Sequence, residues 1–216
     1  MRKNVVSCSM YIAIAFLAFG SICRAAEATK EIQTTQWTFE KEQTGKIPAG
    51  ATVFAGNWAV RAESDAHNSP TALCQLGYAE YPALSLSDTV YGDVTVTARF
   101  KPLSGESDRA AGIIFRIRDK DNYYILRANA LEDNVNIYKY VGGVRKVIQE
   151  SSAKVPSGTW QELRVEAKGS RIRGFLDGKQ VVEATDTTFK DAGMIGLWTK
   201  ADSSTCFESV QVNPVK

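Results

Sequence analysis

Apolar and polar residues alternate along most of this chain with a period of two. The pattern is densest from Gly112 to Tyr140, where three such runs occur within thirty residues, separated by two short polar turns. In the first run Ile113, Phe115 and Ile117 share one face, with Arg116 and Arg118 opposite. In the second, Tyr124, Leu126 and Ala128 oppose Tyr123, Ile125 and Arg127, and residues 135–140 repeat the alternation. Side chains of a strand point to opposite faces in turn, so the pattern predicts an antiparallel meander with one buried face and one decorated face.

The remainder reads the same way. Strands are predicted over residues 37–40, 58–62, 71–76, 93–101, 144–149, 161–167, 171–176, 180–183, 194–199 and 205–212. Gly142-Gly143, Pro156-Ser157-Gly158, Gly169-Ser170 and Asp177-Gly178 separate them. Asp177-Gly178 is the clearest hairpin signal, since both residues tolerate positive φ. Residues 45–56 and 64–70 read as loops. Many short strands at near-regular spacing predict an all-β fold, a jelly-roll β-sandwich of two antiparallel sheets. No helical period persists for more than two turns beyond the start of the chain.

That start has another reading. Arg2 and Lys3 precede an apolar run over residues 11–19, and the small residues Ala25 and Ala26 precede Glu27. This is the layout of a secretory signal peptide, expected over 1–26. A flexible leader is expected over 27–35 and one sandwich domain over 36–214. Cys23 offers a lipidation alternative, but Ile22 is a poor residue before a lipidated cysteine. No other segment is apolar for long enough to span a bilayer.

Removing residues 1–26 takes out Arg2, Lys3 and Arg24 and no acid. The 26 Lys and Arg against 24 Asp and Glu thereby become 23 against 24. A near-neutral domain has no broad attraction to nucleic acid or anionic membrane. The expected location is periplasmic or secreted. There Cys74, in an early strand, and Cys206, in the last, could form a disulfide; two buried free thiols are the alternative.

A set of local signals carries a resemblance. These are Trp37-x-Phe39-Glu40, Gly56-Asn57-Trp58, Ala111-Gly112-Ile113-Ile114-Phe115-Arg116 followed by Asp121-Asn122-Tyr123-Tyr124, Gly158-Thr159-Trp160, Phe175-Leu176-Asp177-Gly178 and Gly196-Leu197-Trp198-Thr199-Lys200. Over residues 36–213 they resemble concanavalin A-like, laminin-G-like sandwiches, and most closely the 3-keto-disaccharide hydrolase domain family. The resemblance implies a sandwich fold and a glycoside or 3-keto-sugar as substrate or ligand. Glu40 and Glu208 offer a structural calcium site where the terminal strands meet, as related jelly-roll sandwiches often hold; two surface carboxylates are the alternative. Two departures concern activity. The enzyme-like Asn-Ser-Gly-Ile strand reads Ala110-Ala111-Gly112-Ile113 here, and His67 is the only histidine. The Glu-x-Asp-x-Glu pattern of β-glucanases is absent as well.

Carbohydrate binding is expected on the decorated face, through Arg116, Arg127, Asn129, Asn134 and Tyr138, with Trp198 nearby. Arg and Asn offer directional bonds to hydroxyls, and an aromatic ring stacks on the apolar face of a sugar. A solvated face of mixed charge is the alternative. Trp198 is assigned to this face because Ile195 and Leu197 occupy the alternate positions, whereas Trp37, Trp58 and Trp160 read as packing residues. For catalysis the carboxylates are Asp119, Asp121, Glu132 and Asp133. Asp119 and Asp121 also suit an ordinary turn, and adjacent residues such as Glu132 and Asp133 diverge if they lie in a strand. A protein-binding, laminin-G-like module is the remaining alternative; it would need no glycan.

Overall fold

The computed structural model describes residues 33–67 and 69–215. The expected signal peptide, 1–26, and leader residues 27–32 lie outside the described residues. One sheet is ordered β13-β12-β11-β6-β15-β4-β3, with β1 added against β15. Its strands are β1 (Thr35–Trp37), β3 (Trp58–Ala62), β4 (Thr71–Gln75), β6 (Val94–Ser104), β11 (Gln161–Lys168), β12 (Arg171–Leu176), β13 (Lys179–Thr185) and β15 (Ser204–Pro214). The second sheet is ordered β10-β9-β8-β7-β14-β5-β2. It comprises β2 (Thr52–Ala55), β5 (Ala83–Ser85), β7 (Ala110–Asp119), β8 (Asn122–Asn129), β9 (Asn134–Val141), β10 (Val144–Gln149) and β14 (Met194–Trp198). Every pairing is antiparallel, as the alternating pattern requires.

The core lies between the sheets. β6 contributes Val94, Val96, Ala98 and Phe100, and β11 sets Val165 opposite Val96 and Leu163 opposite Ala98. From the second sheet come Ile113, Phe115, Tyr124, Leu126, Val135 and Ile137. Burying each large apolar side chain stabilises by about 1.5–3 kcal/mol, which fixes the inward face of every strand. The Asp177-Gly178 turn joins β12 to β13 with φ of 47° and 78°, as its residue types predict.

The structure departs from the sequence pattern at three places. Residues 52–55 form β2 rather than loop and pair with β5, a short strand with no alternation of its own. The first strand ends at Trp37, because Phe39 takes a φ of 60° that no strand continues through. Most consequential is Arg116, whose φ of 49° interrupts β7 where its pairing with β8 shifts register. A bulge reverses the alternation beyond it. Ile113 and Phe115 accordingly enter the main core, while Ile117 joins Ile114 on the opposite face.

Cys74 and Cys206 are directly opposite each other on β4 and β15 and form a disulfide with an S–S distance of 2.02 Å. The bridge lies on the outer face of the first sheet, packed with Ala72, Leu76, Leu103 and Trp160. Its cysteines are 132 positions apart in sequence. A loop of that length constrains the unfolded chain by about 5 kcal/mol in the chain-entropy model. Reduction should therefore lower the guanidinium unfolding midpoint by an amount corresponding to up to about 5 kcal/mol; an unchanged midpoint under reductant would contradict the bridge.

Candidate functional site

The second sheet is apolar on both faces. Away from the core, Ala110, Ile114, Ile117, Tyr123, Ile125, Tyr138 and Trp198 form a separate buried cluster, flanked by Phe54, Tyr81, Tyr140 and Met194. Register explains the set. Gly112 pairs with both Trp198 and Arg127, Arg127 with Asn136, Ile125 with Tyr138, and Tyr140 with Arg145. Side chains in directly paired positions share a face. At Gly112 a Cβ would come within 3.2 Å of the Trp198 ring, so the missing side chain lets the indole lie across the strand.

Trp198 is fully buried. Tyr81 stacks on it with ring centroids 6.0 Å apart and 21° between planes. Tyr81 also meets Tyr140 edge-on at 5.4 Å, and Tyr140 stacks on Tyr123 at 5.0 Å. A row of four aromatic rings therefore crosses the face. Burial pushes the Tyr123 phenol far above its ordinary range and also raises those of Tyr81 and Tyr140, so all three remain neutral donors at physiological pH.

Three cations and two carboxylates surround the rings. The Arg145 guanidinium lies 4.7 Å from the centre of the Tyr138 ring, 5.2 Å from Tyr81 and 5.8 Å from Trp198. Arg127 is buried, 5.3 Å from the Tyr138 ring, and donates from Nη2 to Glu132 at 2.5 Å and to the Asn134 side-chain oxygen at 2.7 Å. Its Nη1 is 3.8 Å from Asp108, as is Nζ of Lys200, which also sits 5.1 Å from the Tyr81 ring.

The two carboxylates are tuned in opposite directions. Burial raises the Asp108 pKa despite the pull of Lys200 and Arg127. Burial acts upward on Glu132 too, but hydrogen bonds and charges from Asn134, Arg127 and Arg145 outweigh it and hold the group below its ordinary value. Glu132 also stays accessible, with 48% of its side chain exposed.

Loops complete the arrangement. Asp202, between β14 and β15, accepts the backbone N–H groups of Glu106, Ser107 and Asp108 and so fixes the approach to β7. Asn129 donates to Asp108 at 2.9 Å and accepts from the backbone N–H groups of Arg109 and Leu131. Three hydrogen bonds from backbone amides hold the Asp202 carboxyl below its usual range.

Of the residues expected on this face, Arg127, Asn134, Tyr138 and Trp198 are brought together. Trp198 forms the underlying layer rather than an exposed platform, and Asn129 is a buried brace. Arg116 is corrected: the bulge turns it away, and its guanidinium donates to the Phe189 carbonyl and Asp93. Glu132 belongs to the cluster, whereas Asp133 is separate, paired with Lys154 and accepting from the Val155 N–H. Asp119 accepts from the Asp121 backbone and the Asn122 amide, and Asp121 pairs with Lys120, which is turn chemistry at the Tyr140 end of the ring row.

Of the pair expected to hold calcium, Glu40 is exposed beyond β1, while Glu208 is buried and paired with Arg99 at 3.0 Å. Among the described residues, one group of three potential metal ligands occurs, Glu63, Cys74 and Cys206, and its cysteines are committed to the disulfide.

Tyr81, Asp108, Arg145 and Lys200 were missed from sequence. Arg145 was legible, because the Gly142-Gly143 turn places it opposite Tyr140. The other three come from connections whose approach no local pattern records.

The family model described as "3-keto-alpha-glucoside-1,2-lyase-like domain" matches residues 35–213. A levanase of Bacillus subtilis (strain 168) is 27% identical over 164 residues, which cover 74% of this chain and 22% of the levanase. The chain thus spans about a fifth of that relative's length. Among solved structures, carbohydrate-binding module CBM66 from Bacillus subtilis matches with a TM-score of 0.64 and 24% identity, over 75% of this chain and 94% of that one. Bacillus licheniformis β-glucanase matches with a TM-score of 0.54 and 11% identity, over 86% and 100% of the two chains. At these identities the structural likenesses are of fold.

The Asp202 brace has a pH signature. Its folded pKa is depressed, so its contribution is complete above the unfolded value near 4 and is lost as pH falls through the folded value. Asp202→Ala should lower the melting temperature at pH 7, and the gap to the parent should narrow progressively below about pH 4. A gap independent of pH would show that the carboxylate charge is not what holds residues 106–108.

Proposed function

The chain belongs to the 3-keto-alpha-glucoside-1,2-lyase-like domain family, and from that membership we propose that it is an exported domain that recognises carbohydrate on the outer face of its second sheet. The observation that carries the reading is the pair of partly exposed rings Tyr81 and Tyr140, beside Arg145, Glu132 and Arg127. Ring faces suit the apolar C–H side of a sugar, while a carboxylate and guanidinium groups at the margin offer acceptors and donors for its hydroxyls. The names of the levanase and of the carbohydrate-binding module support the same ligand class. The basic, apolar and small-residue order at residues 2–26 supports export.

One observation favours a second, enzymatic reading. Asp108 and Glu132 contact the same guanidinium and have pKa values pushed in opposite directions. Opposed shifts in a pair of carboxyl groups suit one proton donor and one proton acceptor. The family description supplies the substrate class to try, 3-keto-glucosides.

Titration against a panel of oligosaccharides and 3-keto-glucosides, with products followed by mass spectrometry, tests both. Tyr81→Ala and Glu132→Gln are each expected to weaken binding by about tenfold or more, about 1.4 kcal/mol. Parent-like affinity in both variants would remove this face as the site. Turnover of any member, abolished by Glu132→Gln or Asp108→Asn, would establish the enzymatic reading, and unchanged sugars in a stable complex would establish a binding module.

A further inference from the structure

The geometry points to a ligand that carries a carboxylate at Arg145, making an acidic sugar the preferred occupant of the outer face; this inference rests on the carbohydrate reading above. The charges around the rings do not balance. Arg127 is committed to Glu132 at 2.5 Å and lies 3.8 Å from Asp108, and Lys200 lies 3.8 Å from Asp108. Arg145 makes no ion pair among the described residues, although Asp108 and Glu132 are close enough to feel its charge. What holds it is three ring faces, at 4.7, 5.2 and 5.8 Å. Its Nη1 is screened from solvent and has no hydrogen-bond partner.

A guanidinium in that position is pre-organised. Cation–π attraction fixes the plane of the group but leaves its hydrogen-bonding capacity unused. Part of the cost of ordering the long side chain is met before any ligand arrives, so an incoming acceptor gains more from each bond. The acceptor that matches a guanidinium edge is a carboxylate, through two parallel charge-assisted bonds, whereas a hydroxyl offers one weaker bond.

The neighbouring acids bear on whether an anion is tolerated. Asp108 is engaged by Asn129 as well as by Lys200 and Arg127, and Glu132 by Arg127 and Asn134. Two further acids lie near the rings: Glu80, which acts on the Tyr81 hydroxyl, and Asp121, which is paired with Lys120 at 2.6 Å. Each acid therefore has a partner of its own, and Arg145 is left for the ligand.

The test uses matched oligosaccharides in gluco, galacto and manno configurations, each as the neutral sugar, the uronic acid and the uronate methyl ester. Calorimetry is expected to show at least one uronate bound about tenfold more tightly than both its neutral counterpart and its ester. That margin should shrink between about 50 mM and about 500 mM NaCl. It should vanish in Arg145→Met and survive in part in Arg145→Lys, which keeps the charge and loses the fork; circular dichroism confirms that both variants fold. Equal affinity for neutral and acidic members would overturn the inference and leave the carbohydrate reading standing. A margin that persists in Arg145→Met would remove Arg145 as the anion's partner and overturn it as well. If the folded parent binds no member of the panel, the inference and the carbohydrate reading fall together.

Discussion

The register of the β7–β8–β9 meander is the constraint on which the rest of this molecule depends. A strand exposes alternate side chains to alternate faces, so a slip of one residue would exchange the two sets completely. Leu126 and Ile137 would leave the core, and Arg127 and Tyr138 would enter it. The many apolar contacts of the sandwich forbid that exchange. The outer face is thus specified indirectly, by what the inner face must bury. The single exception is the bulge at Arg116, which moves Ile117 across the sheet and takes a buried arginine out of the site.

A sheet that is apolar on both sides must cover its second face. This one covers it with amphipathic groups rather than with another layer of secondary structure. Tyr81 lies over Trp198, and Arg145 lies over both and over Tyr138. Tyrosine and arginine can bury a flat apolar surface and still present donors at an edge. Covering the cluster therefore brings hydrogen-bond donors to that face in the same step. Gly112 contributes by absence, since any side chain there would lift the indole.

Charge placement follows from burial in the same way. Arg127 is nearly inaccessible, and a desolvated cation is tolerated only when paired. Glu132, Asp108 and Asn134 supply that pairing. Arg127 is therefore part of the framework, and its removal would cost stability as well as any role in recognition. The loop that carries Asp108 is in turn held by Asp202 and Asn129, so the site's electrostatics depend on connections between strands far apart in sequence.

The all-β class, the strand succession and the Asp177-Gly178 hairpin were readable from the chain because period-two alternation and turn chemistry are local properties. The two cysteines were readable only as a candidate pair, and their register across β4 and β15 was settled by tertiary pairing. Arg127, Asn134, Tyr138 and Trp198 could be assigned to one face by counting along strands. Arg116 could not, because a bulge is a backbone event that its residue type does not announce. Tyr81, Asp108 and Lys200 lay beyond sequence for a related reason: they reach the face from connections, where no periodicity fixes direction. The chain alone thus determined which faces its strands would have. Only the folded molecule decided which loops close over the outer one, because that depends on contacts between segments a hundred residues apart.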